Sequence, residues 1–171
     1  MKLLLSWVRD FVDITAPARE IADTMALRGF EVAAIEDLGG GDAVIDFEVT
    51  ANRPDCLSVI GFAREIGTAF GLPVRGVDAA PYGGLAPLSA GTSADITVTI
   101  EDAELGPRYA AAVADVTPCS TPAWMTARLQ AAGVRPISPF VDITNYVLME
   151  LGHPMHAFDL ATLAGQAIRV R

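Results

Sequence analysis

The 171-residue sequence predicts an α+β fold, and three patterns predict it. Ile45, Phe47 and Val49 alternate with Asp46, Glu48 and Thr50, the period-two signature of a half-buried strand. Helical spacing follows, with Ile60, Ala63, Ile66 and Phe70 on one side of a segment that Gly71 and Pro73 close. A second alternation, Ile96, Val98 and Ile100 against Thr97, Thr99 and Glu101, opens another unit further along.

Taken in order, Ser6 is the expected cap of a short helix carrying Trp7, Val8, Phe11 and Val12. A second helix is expected from Pro17 to Gly29, with Ile21, Ala22 and Met25 inward. Residues 30–38 read as a strand, Gly39 to Asp42 as a turn, and Asn52 to Asp55 as the start of the next helix with Pro54 in its first turn. These elements make a compact unit of residues 1–75. Residues 76–94, rich in Gly, Ala, Pro and Ser and without periodicity, read as a linker, so the second unit covers 95–171.

In that second unit Gly106 and Pro107 mark a turn, and a strand is expected from Arg108 to Val116, antiparallel to the one before it. Thr121 and Pro122 start a helix that Gly133 ends. The last residues, Ala167 to Arg171, alternate as a strand, and the chain stops within them. A longer parent protein is therefore the expectation, and an in-frame continuation after Arg171 is what separates it from a natural short chain.

Composition narrows the function. With 51% hydrophobic and 19% charged residues the chain has a globular composition, so disorder is not expected. A net charge of −9 argues against binding by broad phosphate neutralisation, which leaves only local contact with nucleic acid. Cys56 and Cys119 form no CxxC and have no third partner, and each sits among apolar neighbours, so both read as buried small hydrophobes in a reducing cytoplasm. Trp7, Arg9 and Asp10 interrupt the apolar start before it becomes a signal peptide, and no run of ~20 apolar residues offers a membrane span. No glycine loop has the spacing of a phosphate cradle.

The chemistry concentrates in Asp142 to Asp159, which holds both histidines. Asp142 is the expected N-cap of a helix, Gly152 its C′ residue and Pro154 its stop. Ile143, Val147 and Leu151 form an apolar stripe, from which Asn145 lies about 200° away at ~100° per residue. If the stripe faces the core, Asn145 and a loop bearing His156 share a cleft; the same two residues also read as a solvated amide and an ordinary loop histidine. His153, just past the helix end, has the last carbonyls as structural partners. A rival constellation is a metal-dependent hydrolase on His153, His156 and Asp159. Pro154 disfavours the regular helix that an HxxH pair needs, and no metal site is expected.

Three segments then carry a resemblance: VTANRPDCL from Val49, PRY from Pro107, and above all VDITNYVLMELGHPMHAFD from Val141 to Asp159. Together with LSWVRDF from Leu5 and RGFEV from Arg28 they resemble the β subunit of the bacterial phenylalanine–tRNA ligase family, over nearly the whole chain. The resemblance implies that residues 1–75 are the family's small α+β module and that residues 95–171 begin its mixed α/β editing domain, which hydrolyses tyrosine mischarged onto phenylalanine tRNA. It places His156 and Asn145 at catalytic positions of the editing pocket and Arg135 near the nucleotide; Arg135 also reads as a solvated loop cation. Two departures accompany it. The oligonucleotide-binding-fold domain that the family's long form inserts after the strand near Ile35 is replaced by Gly39 to Asp42, and later pocket segments lie beyond Arg171. The implied partners are the α subunit and tRNA, and ATP and Mg2+ belong to the parent enzyme. The chain by itself is not expected to be active. The competing class is a stand-alone binding or assembly module.

Overall fold

The computed structural model describes residues 1–76, 94–117 and 119–171. The chain forms two compact units, Met1–Asp78 with Ser120–His156, and Ala79–Cys119 with Ala157–Arg171. The expected division at 75 and 95 is drawn along the chain, whereas packing assigns the helices after Ser120 to the first unit because they carry Arg128, Tyr146 and Glu150, which contact its buried Trp7. The expected 76–94 linker lies, but for its two end residues, outside the described residues.

The first unit is built on an antiparallel sheet of β1 (Lys2–Leu4), β2 (Glu31–Gly39) and β3 (Asp42–Glu48), in the order β1-β3-β2. The period-two reading of β3 holds at Ile45 and Phe47, both fully buried, although Ala43 and Val44 are buried as well. Register follows from Leu3 opposite Ile45 and Ile35 opposite Ile45 on the other side. Gly39, Gly40 and Gly41 all take positive φ, of 79, 61 and 81°, so the chain reverses there in a tight hairpin with no inserted domain. The reversal is tied down from outside: Arg9 donates to the Gly41 carbonyl at 2.9 Å, and the Asp42 carboxylate accepts from the Ser6 and Ala43 amides.

Helices α1 (Leu5–Val8), α2 (Ala18–Ala26) and α3 (Val59–Phe70) supply the rest of the core. Trp7, Ile21, Met25, Phe62 and Ile66 are fully buried; Phe47 stacks on Phe62 with centroids 4.7 Å apart, and Phe30 meets Phe62 at a tilt at 5.1 Å and Phe47 edge-on at 6.4 Å. Two expected helix starts move. α1 begins at Leu5 with no side-chain cap, because the Ser6 amide is satisfied from afar by Asp42. At Pro54–Cys56 the chain makes only one 3-10 turn; α3 begins at Val59, where the Ser58 hydroxyl accepts from the Gly61 amide. Gly71 closes α3 with φ 66°, as its sequence position predicted.

α4 (Ala123–Ala131) and α5 (Pro139–Leu151) complete the first unit. In the second unit β4 (Thr97–Ile100) pairs in parallel with β5 (Ala167–Val170), Val98 opposite Ile168 and Ile100 opposite Val170. The antiparallel partner expected from Arg108 to Val116 is not a strand. Residues 108–116 are exposed and Ala-rich, with no alternation to bury, whereas β5 repeats the exposed–covered pattern of β4 residue for residue. Among the described residues no helix is long and apolar enough to cross a membrane.

Candidate functional site

The segment from Arg135 to His156 begins with a constrained connection. Gly133 has φ 81° and ends α4, and the Val134 amide returns to the Leu129 carbonyl at 2.8 Å. Pro136 fixes its own φ and holds Arg135 before it extended. The Arg135 side chain is exposed.

α5 starts one turn earlier than expected. Ser138 is its N-cap residue and Pro139 its first residue, so Asp142 lies inside the first turn and is not the cap. The Asp142 side chain is buried, at 1% exposure, and accepts hydrogen bonds from the Ile137 amide at 2.8 Å and from the Thr121 hydroxyl. Burial alone raises a carboxyl pKa, but these hydrogen bonds outweigh it and hold Asp142 below the ordinary carboxylate value. The positive end of the helix favours the same charged form.

The stripe on α5 does not face the core: Ile143 is 45% and Leu151 37% exposed, with Val147 between them half-buried. The side that packs carries Asp142, Tyr146 and Met149 instead. The reason is a polar–aromatic cluster that local spacing does not show. Tyr146 stacks on Trp7 with centroids 4.5 Å apart and meets Trp124 edge-on at 5.4 Å. Arg128 of α4 donates to the Tyr146 hydroxyl at 2.8 Å, pairs with Asp10 at 2.6 Å and lies 5.6 Å over the Trp7 ring. The Trp7 indole donates to Glu150 at 2.7 Å. Burial pushes the Tyr146 phenol well above its usual pKa, and Glu150 adds to that push while Arg128 opposes it. This cluster fixes the rotation of α5. Its members lie up to 143 residues apart, so the only sequence signal was polar residues in otherwise apolar helical stretches.

Asn145 precedes Tyr146 and is half-buried, beside the packed side of α5. Gly152 ends the helix with φ 73°, as expected, and an added Cβ there would lie 3.3 Å from the Ser58 side chain. His153 and His156 follow in an exposed segment, and His156 takes part in an interaction within the chain. The rival metal constellation of His153, His156 and Asp159 does not assemble among the described residues.

The close group of metal-type ligands that does assemble lies elsewhere, at Asp55, Cys56 and Glu65. Its centre is taken by Arg53, whose guanidinium donates to Glu65 at 2.6 Å, Asp55 at 2.8 Å and the Cys56 sulfur at 3.1 Å, and sits 5.1 Å over the Phe30 ring. Arg53 lowers the Asp55 pKa to about 2, while burial pushes the Cys56 thiol up to about 12. Cys56 is thus buried as expected, but among charges; Cys119, expected to be buried, is exposed. A protonated thiol beside an occupied acidic pair supports the α3 approach and offers neither a nucleophile nor an open ligand set.

Comparison with known proteins gives these observations a context. Residues 105–171 match the family model described as the B3/4 domain, a stretch that contains α4, α5 and β5. Phenylalanine–tRNA ligase β subunits from Oleidesulfovibrio alaskensis and Thermotoga maritima are each 45% identical to the chain, over 75% and 82% of it and over 16% and 17% of their own length. The β subunit from Anaeromyxobacter dehalogenans is 47% identical over 80% of the chain and 17% of the subunit. The chain belongs to the phenylalanine–tRNA ligase β-subunit family and spans about one sixth of the length of the curated relatives it matches.

Proposed function

We propose that the chain serves as part of a β subunit of phenylalanine–tRNA ligase, in which residues 95–171 begin the domain that hydrolyses tyrosine mischarged onto phenylalanine tRNA. The observation that carries this is the B3/4 match over residues 105–171, with the Asn145 and His156 region inside it. In this reading His156 holds the misacylated tRNA end or the attacking water, Asn145 lines the pocket from α5, and exposed Arg135 lies near the terminal nucleotide. Water then replaces the ribose oxygen at the tyrosyl carbonyl, releasing tyrosine and an uncharged tRNA. His156 is assigned over His153 because His153 directly follows the helix C-terminus, where a structural role is available to it.

The partners are the α subunit and tRNA, in the cytoplasm. ATP and Mg2+ serve charging by the whole enzyme, and the residues described here do not fit them: Asp55 and Glu65, the close carboxylates, are already neutralised by Arg53. Net charge −9 supports local rather than broad contact with tRNA. The chain alone neither charges tRNA nor edits it.

The test is deacylation of preformed tyrosyl-tRNA by the full-length subunit in its assembled complex. His156→Ala lowers the rate by on the order of 10²–10⁴-fold and leaves phenylalanine charging near normal. An equal or greater loss from His153→Ala overturns the assignment. A second reading, a binding or assembly module, is favoured by the apolar outer face of α5, where Phe140, Ile143, Leu148 and Leu151 are all exposed. As a stand-alone module without enzyme activity, it predicts that His156→Ala is without effect while Ile143→Glu abolishes self-association of the chain.

A further inference from the structure

We infer that Asp142 is a positioning residue for Arg135, holding the α4–α5 connection in the one conformation that presents the guanidinium to the tRNA end. The inference rests on the editing reading above. It starts from a physical anomaly. Asp142 is a carboxylate with 1% exposure, one turn inside a helix whose N-cap position is held by Ser138, and it has no ion-pair partner among the described residues. A buried charge of this kind is costly unless fully hydrogen-bonded, and an apolar residue in the same place would serve packing alone at least as well. What the carboxylate does that an apolar residue cannot is join three separate pieces of chain. One oxygen takes the Ile137 amide from the connection, the other takes the Thr121 hydroxyl from the residues leading into α4, and the aspartate's own amide donates to the Ser138 carbonyl at 2.8 Å.

The piece so held is short. Between Gly133 and Ser138 the chain is tied at its first end by the Val134 amide on Leu129 and at its last by the Ile137 amide on Asp142. Arg135 and Pro136 lie between the two ties, and the proline removes most of the freedom left to both. Arg135 is exposed on a backbone that is clamped on each side of it. Such an arrangement places a cation with little entropy left to lose on binding, which is how a distant side chain contributes to affinity. Releasing the Asp142 tie frees the connection from Val134 to Ile137 while leaving the Arg135 side chain chemically intact.

The experiment uses the full-length subunit in its assembled complex, with tyrosyl-tRNA as substrate. Asp142→Ala raises KM for deacylation by about 10²-fold with little change in kcat, because the group lost acts through binding. Arg135→Ala does the same, and the double variant is no worse than either single one. Asp142→Asn keeps an oxygen for the Ile137 amide and an amide group for the Thr121 oxygen, so it stays within about threefold of the parent protein and shows that charge is dispensable where geometry is kept. Phenylalanine charging reports that each variant is folded, and slow hydrogen exchange of the Ile137 amide, lost in Asp142→Ala and kept in Asp142→Asn, reports the tie itself. Additive losses in the double variant, or a fall in kcat instead of a rise in KM, overturn the positioning role. If His156→Ala and Arg135→Ala both leave deacylation intact, the editing reading falls and this inference with it. If they impair it and Asp142→Ala does not, only the inference falls.

Discussion

The two units of this chain differ in what holds them. All the buried hydrophobic residues found among the described residues, from Leu3 to Ile66 and then Met125 and Leu129, belong to the first unit. Among its described residues the second has strands of four residues each, whose covered side is only half-buried, and an exposed ion pair between Arg169 and Glu101. A two-stranded sheet is marginal in water on its own, and an exposed pair contributes little. Yet residues 105–171 are the part that matches a family model, and that match draws on both units. Recognisable sequence and self-sufficient packing are therefore separate properties here. Helices α4 and α5 carry the family motif while their packing belongs to the N-terminal sheet.

The sharpest way to break that comparison is to remove the residue that joins the motif helix to the sheet. Trp7→Ala empties a fully buried site and strands Glu150 and Tyr146, costing about 3–5 kcal/mol in urea unfolding. Against a typical total of about 5–15 kcal/mol that is enough to loosen α5 with the rest of the first unit. A loss below about 1 kcal/mol would mean that α5 packs independently of Trp7.

Matched glycine substitutions sharpen it next. In the first unit an alanine Cβ at Gly61 would stand 1.8 Å from the Asp55 carbonyl oxygen, so backbone must move, and the cost is about 1–3 kcal/mol. In the second unit a Cβ at Gly106 would stand 3.3 Å from a methyl of Val170, which can turn aside, and the urea midpoint shifts by less than about 0.5 kcal/mol equivalent.

Acid offers a third comparison, since Asp55 and Asp142 both have lowered pKa values and both belong to the first unit. A group whose folded pKa is depressed contributes stability that is complete above its unfolded pKa, near 4, and disappears as pH falls toward the folded value, about 2 for Asp55. Unfolding followed by tryptophan fluorescence therefore loses stability progressively between about pH 5 and pH 2, and Asp55→Asn flattens part of that slope. A profile unchanged by Asp55→Asn would show that Arg53 gains nothing from the pair. The smallest effect is chemical: with native protein one thiol, the exposed Cys119, reacts with a thiol reagent at once, and the buried Cys56 reacts only at the rate of opening.

Elements whose reasons are local were legible in the sequence. β3, α2 and α3 each carry an apolar periodicity that matches their own geometry, and Gly71, Gly133 and Gly152 end helices where positive φ is needed. What was not legible depended on distant partners. The rotation of α5 was misjudged because Ile143, Val147 and Leu151 look like a core stripe until Trp7 and Arg128 claim the other side through Tyr146. Asp142 looked like a cap because a buried carboxylate answering Thr121 has no local signature. β4 was joined to the stretch that follows the nearest turn, at Gly106 and Pro107, whereas its partner β5 is about seventy residues on, and parallel pairing always needs a long crossover.

The three left-handed glycines of the β2–β3 hairpin have a consequence for modularity. The chain enters and leaves that tip at adjacent points, on strands that Arg9 and Asp42 fasten from the body side. A foreign domain whose own termini are neighbours can be spliced there without altering either strand, at a closure cost that grows by only about 0.6 kcal/mol for each doubling of the added length. The hairpin is a place where added sequence leaves the sheet beneath it in register.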